Sequence, residues 1–151
     1  MTIGYYMRYL VADKREVTLA QLEAALREID SQYSIPVIRE QPSEVGYLLY
    51  RGSQYGELWI DRPPEEEELE ELREDVEESK GRKKLTVLRA LEKATAIVAV
   101  CVRYQDRGVE ETMVRIDPLW EWLFNNRKGI LQADGEGFYD QSGLILKMEY
   151  R

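Results

Sequence analysis

The sequence contains no histidine, and this absence excludes a large share of enzyme chemistry. Without imidazole, the chain has no Ser/His/Asp or Cys/His arrangement, no histidine general base and no histidine metal ligand. An enzyme of this composition would have to work with carboxylates, Lys, Tyr, Arg or a cofactor. The sequence therefore favours binding without catalysis, and we expect neither a cofactor nor a metal site.

Cysteine and long apolar runs are scarce as well. The single cysteine, Cys101, excludes an internal disulfide and a CxxC redox pair. The apolar run at 96–102 is far shorter than the roughly 20 residues that a membrane-spanning helix needs. The first residues lack the pattern of a signal peptide. We therefore expect a cytoplasmic protein that does not contact a membrane.

Clustered basic residues are also missing. The formal charge is −8, and residues 65–80 alone hold ten acids against Arg73 and Lys80, so this segment accounts for the whole net charge. Binding to nucleic acid requires clustered Lys and Arg that neutralise phosphates. The composition thus excludes nucleic acid as a partner. A small molecule or a protein partner remains, and a homodimer is left open.

The residues that are present suit one soluble domain, in which the same order of elements occurs twice. The chain has 151 residues, of which 44% are hydrophobic and 33% charged, enough to bury a sizeable core. Residues 4–62 and 96–151 both follow the order strand, helix, then turn-linked strands. Matched pairs are Tyr9 with Tyr104 and Ile35 with Ile130, both 95 positions apart, Gly46 with Gly137 at 91, and Gly56 with Gly143 at 87.

Local patterns place the main elements. Alternating apolar residues at 3–12 predict a strand, and Thr18 with Gln21 predicts a capping box at the start of the first helix. The almost continuously apolar segment 95–104 indicates a central strand that is covered on both faces. Residues 63–94 form a helical segment between the repeats. Gly81 indicates two helices there, and one long helix is the alternative.

The sequence therefore predicts a single α+β domain over residues 1–151, built from a duplicated strand–helix–strand–strand unit. We expect a mainly antiparallel sheet of about six strands, with the two repeat helices on one face and an acidic helical insert at 63–94. Within residues 65–78 only Leu69, Leu72 and Val76 are apolar. We therefore expect the acidic part of the insert to contribute little to the core.

Alternation in the strands also suggests a binding surface. Leu58 and Ile60 oppose Glu57 and Trp59 in the strand that closes the first half, and the strand that closes the second half alternates in the same way. If helices cover one face of the sheet, the other face presents a mixture of aromatic and charged groups, which suits a small-ligand or peptide cleft. The predicted ligand-binding residues are Arg8, Glu57, Trp59, Arg103, Lys147 and Glu149. The polar outer face of an ordinary antiparallel sheet explains the same pattern.

The duplicated order of elements resembles, in topology, the bacterial gyrase-inhibitor-like ligand-binding domains, which repeat a strand–helix–strand–strand unit in tandem. The resemblance implies a central cleft that carries an acidic residue. Glu149 or Glu57 is the candidate for this residue.

Two other classes of function stay open. An acidic inhibitor or immunity-type protein would use residues 65–78 against a basic partner, with Trp122 or Leu119 as an exposed anchor. A carboxylate- or metal-dependent hydrolase would use Glu57, Asp61 or Glu149. A loose Mg²⁺ site at Asp134, Glu136 and Asp140 is an alternative to a kinked hairpin, which the glycines there favour.

Overall fold

The computed structural model describes residues 5–148, which form nine strands and four helices. In chain order these are β1 (Tyr5–Val11), α1 (Leu19–Ile29), β2 (Tyr33–Ser34), β3 (Val37–Arg39), β4 (Glu44–Tyr50), β5 (Ser53–Asp61), α2 (Glu66–Glu78), α3 (Lys84–Lys93), β6 (Ala96–Val102), α4 (Val109–Asn126), β7 (Gly129–Ala133), β8 (Gly137–Asp140) and β9 (Gly143–Lys147).

The strands form one antiparallel sheet in the order β2–β4–β5–β6–β1–β7–β8–β9, with β3 also paired to β4. β1 and β6 pair at the centre, where Tyr9 lies opposite Val98. The prediction of a single, mainly antiparallel α+β domain is confirmed. The sheet has nine strands rather than about six, because residues 33–39 supply two short edge strands and residues 129–147 supply three.

The two halves of the chain do not share one strand order. After α1 the strands run inward from the edge of the sheet to β5, which pairs with β6. After α4 they run outward, from β7 beside β1 to β9 at the opposite edge. Equivalent positions in the sequence pattern therefore occupy different places in the sheet, and the duplication is not confirmed. The closing strands β5 and β9 do not meet near the centre, as a duplicated unit would require.

Helices α1 and α4 cover one side of the sheet, called here the first face. α1 begins with the predicted capping box, in which Thr18 and Gln21 exchange two hydrogen bonds of 3.1 Å. The apolar stripes of both helices pack against the side chains of β1, β5 and β6 that point to this face. The buried helical residues are Leu19, Leu22 and Leu26 of α1 and Ile116, Leu119 and Leu123 of α4.

Helices α2 and α3 cover part of the opposite side, the second face. Leu72, Val76, Val87 and Leu91 pack there in a second cluster with sheet residues that include Leu10, Ile97 and Phe138. The two repeat helices, α1 and α4, lie on one face as expected, whereas the helices of the insert cover part of the other face. Most of residues 65–78 stay solvated, but Leu72 and Val76 are buried, so the acidic segment contributes more to the core than expected. Leu72 and Val76 are four positions apart and therefore share the side of α2 that packs on the sheet. All seven residues of β6 are buried, as predicted for a strand covered on both faces.

Candidate functional site

Four of the predicted ligand-binding residues share the second face: Arg8, Glu57, Trp59 and Arg103. They alternate with residues that are buried in the core of the first face. Glu57 and Arg103 form an ion pair of 2.9 Å between half-buried side chains. The hydrogen bond from Arg103 to Glu57 raises the pKa of the guanidinium, although burial acts in the opposite direction.

Arg8 contacts protein groups rather than open space. Its guanidinium donates to Glu68 of α2 at 2.8 Å, to Gln132 at 2.8 Å and to Asp134 at 3.0 Å. Burial opposes the charged form, but the hydrogen bond with Glu68 and the charge of Asp134 outweigh it and raise the Arg8 pKa. Arg8 therefore links α2 to the sheet.

The other predicted residues are dispersed. Trp59 is half-buried against the second cluster, and its ring centroid lies 6.3 Å from that of Tyr6. Lys147 alternates with Leu146 and Met148, both of which are buried in the second cluster. Its side chain consequently points to the first face, away from the other predicted residues. In the edge strand β9, Leu146 lies opposite Phe138 of β8. This pairing places Leu146 on the second face and Lys147 on the first. Glu149 lies outside the described residues.

A cavity of about 880 Å³ lies on the first face, between α4 and strands β1, β7 and β8. α1 packs over β2 and β4, and α4 packs over β5 and β7, so the β8–β9 end of this face lies beyond both helices. Buried Met7, Trp120 and Leu131 belong to the wall of the cavity. Its size is typical of a pocket for a small organic molecule.

The lining of this cavity combines aromatic and acidic side chains. Five aromatic residues contribute to it: Tyr5, Tyr104, Trp120, Phe124 and Tyr139. Four acids contribute as well: Asp117 and Glu121 of α4, Glu136 of the β7–β8 turn, and Asp140 of β8. Among the described residues that line the cavity, none is basic. We call this site the acidic aromatic cavity.

Glu136 is held by two phenols. The Tyr5 hydroxyl donates to Oε2 of Glu136, and the Tyr139 hydroxyl donates to Oε1 at 2.5 Å. Burial is the larger cause of the raised pKa of Tyr5, and the hydrogen bond from Tyr5 to Glu136 is the second cause. The hydrogen bond to Glu136, followed by burial, raises the pKa of Tyr139 to about 12. Both phenols therefore stay protonated and continue to donate to the carboxylate at neutral pH.

The carboxyl of Asp117 is affected by the other acids of the cavity. Burial raises its pKa, and the negative charges of Glu121 and Glu136 raise it further. These effects show that the three carboxyl groups share one region of negative potential. A positive charge placed there would be attracted by all three.

Trp120 supplies an unpaired donor in the wall of the cavity. Its side chain is only 3% exposed, and within residues 5–148 its indole N–H has no hydrogen-bond partner. A buried donor without a partner is uncommon in folded proteins. The nitrogen atom is out of reach of solvent, so this donor faces the protein interior rather than the open part of the cavity.

Local sequence explains how α4 and the β7–β8 turn build the site. Met113, Asp117, Trp120, Glu121 and Phe124 all line the cavity, and their spacing places them along one side of a helix. Glu136 stands in the turn before Gly137, where a Cβ atom would lie 2.0 Å from the carbonyl oxygen of Leu146. Only glycine fits this close approach, which positions the turn and Glu136 with it.

Sequence reasoning missed the cavity, although one signal was available. It treated Glu136 only as a candidate metal ligand. The signal was the pair of acids, Asp117 and Glu121, on the same side of α4 as Met113, Trp120 and Phe124. Acids inside an otherwise apolar stripe indicate a helix that faces a polar cavity rather than a closed core.

The alternative Mg²⁺ site is not assembled. Asp134 binds Arg8, Glu136 binds the two phenols, and Asp140 accepts from the backbone N–H of Ser142 at 2.8 Å. Over residues 5–148, no group of three or more Cys, Asp or Glu side chains is arranged to hold a metal ion.

The chain matches no protein-family model, and no curated protein or solved structure shows significant similarity to it. Within the described range, no helix has the length and hydrophobicity needed to cross a membrane.

Proposed function

We propose that this protein binds a small organic cation with an apolar or aromatic body in the acidic aromatic cavity, without catalysing a reaction. The observation that carries the proposal is the composition of the lining, in which four acids and five aromatic residues occur with no basic residue among those described. An anion would meet an excess of negative charge in this cavity, although Lys83 lies close enough to Asp140 to act on its carboxylate. A neutral apolar ligand would leave the carboxylates without any role.

Cation–π contacts and carboxylates together can account for useful affinity. A cation over an aromatic ring contributes about 0.5–2 kcal/mol, depending on its exposure. Asp117, Glu121 and Glu136 are exposed at the rim, where each carboxylate contributes about 1 kcal/mol at contact distance in water. Burial of the ligand body against Met7, Leu131 and Trp120 adds a hydrophobic contribution.

The other classes of function have less support. Leu119 is fully buried, and Trp122 is half-buried and packs against the core, so α4 offers a poor anchor for a protein partner. The hydrolase alternative would use Glu57, Asp61 or Glu149, of which Glu57 is held in an ion pair with Arg103 and Glu149 lies outside the described residues. The binding roles predicted for Glu57, Trp59 and Arg103 on the second face stay predictions.

Three naphthalene derivatives of similar shape test the proposal: 1-naphthylmethylammonium as the cation, 1-naphthalenemethanol as the neutral analogue and 1-naphthoate as the anion. Titration by calorimetry should show the cation binding at least about tenfold more tightly than the alcohol, a difference of about 1.4 kcal/mol. The anion should not bind. Equal affinity for the cation and the alcohol would contradict the proposal, as would the absence of binding by all three.

Charge-neutral variants locate the site. The double variant Asp117→Asn/Glu121→Gln should weaken binding of the cation severalfold and leave binding of the alcohol unchanged, because it removes charge and little volume. Glu92→Gln is the matched control, since Glu92 is an exposed acid of α3 on the second face. If the control variant weakens binding as much as the double variant does, the cation binds elsewhere.

A further inference from the structure

The hydrogen bonds around Glu136 restrict the kind of cation that the cavity can hold. A phenol has one hydrogen to donate, and Tyr5 and Tyr139 both donate theirs to Glu136. The two phenolic oxygens are left with lone pairs only. The carboxylate also keeps lone pairs that the phenols do not use. The side chains of Tyr5, Glu136 and Tyr139 consequently form a group of acceptors.

We propose that Tyr5, Glu136 and Tyr139 select a cation that carries N–H groups, a protonated primary or secondary amine, over a quaternary ammonium ion of the same shape. This inference rests on the proposed function, since it specifies the cation for the same cavity. An ammonium N–H donates to these acceptors in charge-assisted hydrogen bonds, which are short and strong. A quaternary ammonium ion has no donor, so it gains only the diffuse attraction of charge and aromatic rings.

The phenols make the carboxylate a selective acceptor rather than a simple counter-ion. They hold Glu136 in one orientation from two sides, one from β1 and one from β8. An acceptor that is already oriented loses less freedom when the ligand binds, which strengthens a directional hydrogen bond more than a non-directional charge contact. The fixed orientation of Glu136 thus favours a ligand that donates N–H hydrogen bonds over a ligand that is attracted by charge alone.

The test compares two ligands that differ only in N–H content: 1-naphthylmethylammonium and its N,N,N-trimethyl derivative. The wild-type protein should bind the primary ammonium at least about tenfold more tightly than the quaternary ion. Tyr5→Phe and Tyr139→Phe should each reduce this ratio severalfold by weakening binding of the primary ammonium, while binding of the quaternary ion changes little. Tyr104→Phe is the matched control, because it removes a phenol from the same cavity that has no hydrogen bond to Glu136 among the described contacts.

The outcomes separate this inference from the proposed function. If both ions bind with equal affinity, the cavity binds cations but the selection for N–H groups is wrong. If neither ion binds, both proposals are wrong. A merely structural role for Tyr5 and Tyr139 would weaken both ligands by the same factor, and circular dichroism of each variant reports whether the fold is kept. If Tyr104→Phe lowers the selectivity as much as the other two variants do, the assignment to Glu136 is also wrong.

Discussion

At the scale of single residues, Asp117 shows how position changes the chemistry of an ordinary carboxyl group. Burial and the negative charges of Glu121 and Glu136 raise its pKa above the usual value of 3.8. The folded protein therefore binds a proton at Asp117 more tightly than the unfolded chain does. Such a group makes its full contribution to stability below pH 3.8, and this contribution is lost as the pH rises through the higher pKa of the folded state.

Because the folded state raises the pKa of Asp117, the variant Asp117→Asn should change stability in a pH-dependent way. At pH 7 the variant should be more stable than the wild type, because it removes a carboxylate that the other acids repel. The gain should stay below about 1 kcal/mol, since the Asp117 side chain is partly desolvated but still exposed enough for solvent to screen the repulsion. The gain should shrink as the pH falls towards 3.8, where the wild-type carboxyl becomes protonated. Urea unfolding at pH 7 and at pH 4 measures both values, and a gain that grows on acidification would contradict the assignment.

At the scale of elements, local pattern predicted what each segment becomes but not where it packs. The capping box of α1, the break between α2 and α3 and the doubly covered strand β6 all follow from spacing within a few residues. The order of the strands does not follow from local spacing. Strands that run inward from the edge of the sheet and strands that run outward from its centre have the same alternation of side chains. The cavity was missed for a related reason, since it forms where β8 and β9 extend beyond α4 and the sequence does not encode that position locally.

The packing of α3 on the second face gives a matched pair of variants. Leu91 is 1% exposed and Leu85, on the same helix, is 66% exposed. Leu91→Ala should lower the free energy of unfolding by about 2–5 kcal/mol, because it leaves a cavity in the second cluster. Leu85→Ala should change it by no more than about 0.5 kcal/mol. Equal effects in urea unfolding would mean that α3 is not held against the sheet through Leu91.

At the scale of the whole molecule, two groups of acidic side chains lie on opposite faces of the sheet and differ in their surroundings. Residues 65–80 carry ten acids, and those of α2 lie over the second face, whereas the acidic aromatic cavity is on the first face. Surface charges interact over about 10 Å at 0.1 M salt and about 3 Å at 1 M. The acids of α2 can therefore attract cations to the protein at low salt. The rim carboxylates of the cavity are exposed as well, so salt should also weaken their attraction for a cation.

Binding of a cation in the cavity should stabilise the protein against heat, and the size of this stabilisation should depend on salt. A ligand that binds only the folded state at about one hundred times its Kd stabilises a protein by about 2.7 kcal/mol. For a chain of this length that corresponds to a rise in Tm of about 5–10 °C. In low salt, 1-naphthylmethylammonium should produce a rise of this size. At a fixed ligand concentration the rise should fall by at least about half near 1 M NaCl, because screening weakens the attraction of the rim carboxylates.

The rise caused by 1-naphthalenemethanol should be small and independent of salt, since its binding is apolar. Differential scanning fluorimetry or calorimetry measures all four conditions, and a cation-induced rise that is equal at both salt concentrations would show that charge does not drive binding in the cavity.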